Sequence, residues 1–291
     1  MKMFLNMRFM KFNFLVLGIV SAVILGFVSK QELPPKYKGY QLVWNDEFSV
    51  NGVPNEKNWN YEIGFMRNNE DQWYQKENAY CENGFLIIEA RKEKRANPDF
   101  VSKNHQDWTK KRDSIKVTSA CLITQRKHSW QYGRFEMRAK IPVVKGMWPA
   151  FWSLGIEGEW PANGEIDMME YYKGKILANA AWKFNKSEPE WDSSSTKLSD
   201  FKDANWANKF HIWRMDWDAD WIRLYVDDKL LNEIDVRKTF YGKDQKIIPF
   251  RQPHYLLLNL AVGGDNGGEF TDASLPSKYT IDYVRVYQKK S

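Results

Sequence analysis

The stretch from Gly164 to Tyr171, with carboxylates at Glu165, Asp167 and Glu170, is the tightest constraint on how this chain folds. Carboxylates and apolar residues alternate at period two, which predicts a β-strand. Glu165 and Asp167 then share one face, and Ile166 and Met168 share the other. Glu170 breaks the pattern, because its offset of five from Glu165 sends it to the opposite face of a regular strand. One extra residue at Met168-Met169, a β-bulge, returns it to the face of the other two acids. Three acids on one face repel one another. A retaining glycosidase uses two carboxyl groups about 5–5.5 Å apart, one as nucleophile and one as acid/base. Crowding suits that chemistry, since neighbouring negative charge keeps a proton on one carboxyl near neutral pH. Taken alone, the acids also fit a solvated strand face. The flanks argue for the site: Trp148, Trp152 and Trp160 precede the acids, and Tyr171, Tyr172 and Trp182 follow. Aromatic faces stack on the apolar face of a sugar ring, while polar groups take its hydroxyls.

The rest of the chain after Tyr40 reads as short strands and turns. Asn78 to Cys81 and Phe85 to Ala90 flank Asn83-Gly84, a hairpin signal. Ile212 to Asp216 and Trp221 to Val226 flank another turn at 218–220. Val117 to Thr124, Gly133 to Lys140, Tyr255 to Ala261 and Thr280 to Tyr287 read as further strands. Residues 92–116 are polar and read as an excursion; residues 200–208 read as a turn of helix. This pattern predicts an all-β sandwich, two antiparallel sheets burying alternate apolar residues between them, with an extended cleft across one sheet.

The ends and the charge bound the remaining classes. Residues 1–28 are basic, then apolar from Phe12 to Val28, as in a secretory signal peptide or a signal anchor. Residues 29–39, with Pro34 and Pro35, read as a linker, and 40–290 as one domain. Secretion, or a periplasmic or cell-envelope location, is expected, with no stable membrane association once a signal is cleaved. The formal charge is +6, and losing Lys2, Arg8 and Lys11 with the leader leaves about +3. That balance makes no case for nucleic acid, and Lys110-Lys111-Arg112 reads as a solvated loop. A monomer is expected. Cys81 and Cys121 bridge only if their strands are adjacent, and otherwise are buried thiols. Four scattered histidines lack the spacing of a transition-metal site.

Residues 146–152 (Gly-Met-Trp-Pro-Ala-Phe-Trp), Trp160-Pro161 and the acid stretch resemble glycoside hydrolase family 16, in its laminarinase and β-glucanase branch. Trp44 to Phe48, Tyr132 to Glu136, Leu258 to Gly264 and Asp282 to Tyr287 extend the resemblance over nearly all of the chain after residue 40. It implies a β-jelly roll with an open cleft for an internal stretch of polysaccharide. It implies Glu165 as nucleophile, Glu170 as acid/base and Asp167 as an auxiliary acid, with no cofactor for catalysis. Trp148, Trp152 and Trp160 match tryptophans near the family's cleft. Asn69 and Arg91 are expected to reach sugar hydroxyls. Glu47, Gly84 and Asp282 resemble positions that hold a structural calcium ion. Many members carry a histidine in the strand after the acids; here Asn179-Ala180-Ala181-Trp182 stands instead. If Asn179 and Ala181 point inward, Ala180 and Trp182 face the cleft, with Trp182 as a platform. The implied activity is endo-acting retaining hydrolysis of a β-1,3- or β-1,3-1,4-glucan. Galactan hydrolysis, transglycosylation and non-catalytic sugar binding are the alternatives.

Overall fold

The computed structural model describes residues 33–184, 188–240 and 246–290. The expected leader and the first residues of the linker lie outside the described residues. Seventeen strands follow in order: β1 (Tyr40–Asp46), β2 (Asn60–Glu62), β3 (Gln72–Tyr74), β4 (Ala79–Glu82), β5 (Phe85–Ala96) and β6 (Ser114–Ser119). Next come β7 (Cys121–Ile123), β8 (Gly133–Lys140), β9 (Met147–Gly155), β10 (Glu165–Tyr172), β11 (Lys175–Trp182) and β12 (Glu190–Lys197). The last are β13 (His211–Trp217), β14 (Trp221–Val226), β15 (Lys229–Asp235), β16 (His254–Val262) and β17 (Ser277–Lys289).

They form two sheets. Ten strands run β15-β14-β13-β8-β17-β5-β6-β3, with β1 on β17 and β4 on β5. Seven run β12-β11-β10-β9-β16-β7-β2. The register is antiparallel apart from β3 on β6. Period-two alternation places the core between the sheets: β13 turns Trp213, Met215 and Trp217 inward, and β14 turns Ile222, Leu224 and Val226. Burial of each such side chain stabilises the sandwich by roughly 1.5–3 kcal/mol. β16 is buried on both faces. Leu256, Leu258, Leu260 and Val262 join the main core. Tyr255 and Leu257 join a smaller apolar cluster with Trp152 on the opposite face of the sheet.

The β4–β5 hairpin turns on Asn83 (φ 54°) and Gly84 (φ 82°), the two left-handed residues that a tight Asn-Gly turn needs. The excursion is shorter than the sequence suggests. β5 runs on to Ala96 and β6 begins at Ser114, because ladder pairing between them holds a charged, half-exposed segment extended. The helical turn expected at 200–208 is two 3-10 turns, Leu198–Phe201 and Trp206–Asn208. Cys81 and Cys121 lie in different sheets and are free thiols.

Two of the carboxylates expected near calcium are paired with arginines. Arg285 donates to both oxygens of Glu47, each at 2.8 Å. Arg138 donates to Asp282 at 2.5 Å. Among the described residues, no group of three His, Cys, Asp or Glu side chains is placed to hold a metal ion.

Candidate active site

The β10 bulge is present at the expected place. Against β9, Asp167 pairs with Trp152 and Met169 with Phe151, so Met168 is the extra residue. Against β11, Asp167 pairs with Asn179 and Glu170 with Leu177. Ile166, Met168 and Met169 all enter the main core. Glu165, Asp167 and Glu170 therefore share the other face, where they line a cleft of about 790 Å³. The apolar anchors on one side of the strand fix the acids on the other.

Each acid has its own environment. Asp167 is 2 % exposed, while Glu165 and Glu170 keep partial access to solvent. The Trp148 indole donates to Glu170 Oε1 at 2.8 Å, and Asn179 Nδ2 donates to Oε2 at 3.1 Å. The Trp160 indole donates to Glu165 Oε2 at 2.6 Å. Burial raises the Asp167 carboxyl well above the carboxylate range, and the charges of Glu170 and Glu165 add to it. A hydrogen bond between Asp167 and Glu165 raises Asp167 further and opposes the rise of Glu165. Burial raises Glu165 too, opposed by its bonds to Asp167 and Trp160 and by the Arg67 charge. Burial pushes Glu170 up to about 7, against its bond from Trp148 and with the help of the Glu165 charge. A second carboxyl on the same face as one that titrates near neutrality suits double displacement.

The aromatics divide. Trp148, Trp152 and Trp160 line the cleft. Trp148 packs edge-on to Tyr172, with ring centroids 5.6 Å apart. Trp152 is fixed from both sides: its Nε1 donates to Asn259 Oδ1 at 2.7 Å, and the Arg67 guanidinium covers its ring at 5.1 Å. Trp182 does not face the cleft. Asn179 and Leu177 line it, so alternation sends Ala178, Ala180 and Trp182 into the core, where Trp182 meets Phe250 edge-on. The register shows this phase, with Asn179 opposite Asp167 and Leu177 opposite Glu170.

Asn69 and Arg91 are also absent from the cleft wall. Asn68 and Asn69 are both left-handed (φ 54° and 52°), and the turn presents Asn68 inward while Asn69 bonds Asp265 outside. Arg91 lies on β5 in the other sheet, bonded to Glu93 at 2.9 Å. The residues that the sequence reading passed over are Arg67, Asn259 and the β12 side chains Trp191, Ser193 and Ser195, all of which line the cleft. The alternation of residues 191–195 was the available signal for the last three. A serine-rich run is a poor strand former by propensity, which masked it.

The model of the family described as Glycosyl hydrolases family 16 matches residues 66–285. A beta-glucanase of Rhodothermus marinus is 33% identical, over 94% of this chain and 93% of its own length. A solved non-specific endo-beta-1,3(4)-glucanase of family GH16 superposes with a TM-score of 0.72 at 36% identity, covering 89% of this chain and 95% of that one. Another solved structure superposes at 0.80, also at 36% identity, covering 88% and 94%. It comes from work on the endo-acting O-glycanases with which prominent members of the human gut microbiota initiate mucin breakdown.

Proposed function

The chain belongs to glycosyl hydrolases family 16, and from that premise we propose that it is an endo-acting, retaining glycosidase that cleaves internal β-linkages of a β-1,3- or mixed-linkage β-glucan. The observation that carries this reading is the bulged strand with three acids on one face, Glu170 among them at about 7. Glu165 attacks the anomeric carbon as the glycosidic C–O bond breaks, and Glu170 gives its proton to the leaving oxygen. Glu170 then takes a proton from water, whose oxygen displaces Glu165 and restores it as a carboxylate. Asp167, protonated beside Glu165, holds the nucleophile in place. The reaction needs no cofactor. The basic-then-apolar segment at 2–28 supports export to the periplasm, the envelope or the medium, and the chain is read as a monomer.

The test is a panel of polysaccharides scored by reducing-end release and product sizing. β-Glucan cut to short internal fragments, with the β-anomer appearing first by NMR, is the expected result. No release from any β-glucan would overturn the substrate, and α-anomer first would overturn the mechanism. The panel includes mucin O-glycans, because the likeness to the gut O-glycanase structure supports that second reading. Running it at high oligosaccharide concentration separates hydrolysis from transglycosylation.

A further inference from the structure

β12 is an edge strand of the seven-stranded sheet. Its residues alternate: Trp191, Ser193 and Ser195 stand exposed, and Asp192, Ser194 and Thr196 are half-buried. The register places the exposed three in rows with the acids. Trp191 lies across from Ala181, which lies across from Glu165. Ser193, Asn179 and Asp167 make the second row, and Ser195, Leu177 and Glu170 the third. Neighbouring strands are ~4.8 Å apart, so β12 stands about 10 Å from the acid strand. Ala181, between Glu165 and Trp191, is buried, and Leu177 and Asn179 of the same strand line the cleft beside it.

Edge strands ordinarily carry charge, proline or a bulge on their free side, and a bare aromatic there invites unwanted pairing. Trp191 is 47% exposed. The strand beneath it is anchored: Asn232, from the other sheet, donates to Asp192 Oδ1 at 3.1 Å and to the Ala178 carbonyl at 3.0 Å. An indole held open on an anchored strand is pre-organised for a ligand, which then loses little freedom of the protein on binding. The two serines are uncharged and both donate and accept, as sugar hydroxyls do.

We propose that β12 is a substrate-binding arm of the cleft, in which Trp191 stacks an uncharged sugar ring two strands away from Glu165 and Ser193 and Ser195 bond hydroxyls beside it. The arm deepens the glycosidase reading above and rests on it. It makes catalysis depend on chain length, since only a substrate long enough to cross from β10 over β11 reaches the indole.

The test compares kcat/KM on a hexasaccharide and a trisaccharide of the same β-glucan for the wild type, Trp191→Ala and Trp191→Phe. Trp191→Ala should lower the hexasaccharide-to-trisaccharide ratio about fivefold to tenfold, the scale of one lost aromatic stack. Trp191→Phe should restore most of it, and the melting temperature should hold. An unchanged ratio overturns the arm. So does an equal loss at both lengths together with a fall in melting temperature, which marks a structural role. A change of oligomeric state on gel filtration with the ratio intact assigns the indole to a second copy of the chain and also overturns it. A wild type that cleaves no β-glucan sinks the proposed function. The ratio is then read as dissociation constants on the panel, and the absence of any chain-length preference sinks the arm as well.

Discussion

The two sides of the cleft are built differently. On the β9–β16 side the wall is tied together: Trp152 donates to Asn259, Asn259 donates to Tyr74 at 3.0 Å, and Arg67 covers Trp152 while pairing with Glu62. On the β12 side the wall is two exposed serines and an exposed indole. The first side spends its polar groups on one another, so each is part of the fold. The second leaves its polar groups to solvent, so they can change with little effect on folding. A cleft of this kind keeps its chemistry and one wall fixed while the other wall tunes what is bound.

The largest expected effect concerns the acids between the two sides. Glu170→Ala should lower turnover about 10²–10⁴-fold, the usual contribution of a positioned acid/base. Added azide should restore cleavage of an activated glycoside, because it replaces base-assisted water after the intermediate has formed. In the wild type the same carboxyl sets the alkaline limb: its proton is needed, and activity should fall as pH rises through about 7. The sign for stability follows from its raised value. The folded state holds this proton more tightly than the unfolded chain, so stability is full at low pH and is lost as pH climbs through about 7. If Glu170→Gln leaves the alkaline limb in place, another group sets it.

Next comes Trp182, on the reverse face of the tunable side. It is 9% exposed in the core, so Trp182→Ala should cost about 3–5 kcal/mol of stability with KM little changed. A raised KM with an unchanged melting temperature would return Trp182 to the cleft and break the comparison. On the tied side, Arg67→Met leaves Glu62 without its guanidinium. The Arg67 side chain is 26% exposed, so the cost should fall near the low end for a broken buried pair, about 3 kcal/mol. Denaturant unfolding measures it, and Glu62→Gln in the same chain should recover part of the loss. Asn259→Ala frees the Trp152 indole and strands its N–H, for about 1–2 kcal/mol and a severalfold higher KM. A KM that moves without any change in stability would show that the tied wall is as independent of the fold as the open one.

Much of this was legible in the residues. The odd spacing between Glu165 and Glu170 required a bulge if the acids were to cooperate, and the bulge is there, with Met168 as the extra residue. The Asn83-Gly84 hairpin was equally local, because left-handed turn residues carry their own signal. The phase of β11 was not legible. Asn179-Ala180-Ala181-Trp182 is apolar or small on both faces, and either assignment of faces satisfies alternation. Asn69 failed for a related reason: two adjacent asparagines can each take the inward place in a turn, and only the backbone angles choose Asn68. Arg91 lies within β5 rather than after a strand, and its sheet is the one without the cleft.

By itself the sequence determined the class of fold, the identity of the three acids and their common face, since these depend on period-two alternation and one counted offset. Tertiary structure alone decided which neighbours the acids meet. Strand order brings Trp191, Ala181, Leu154 and Tyr255 into one row with Glu165, although they are far apart along the chain. It also put arginines on Glu47 and Asp282. The physical reason is that a strand's faces are set by local geometry, whereas its partners are set by the burial of the whole sheet against another.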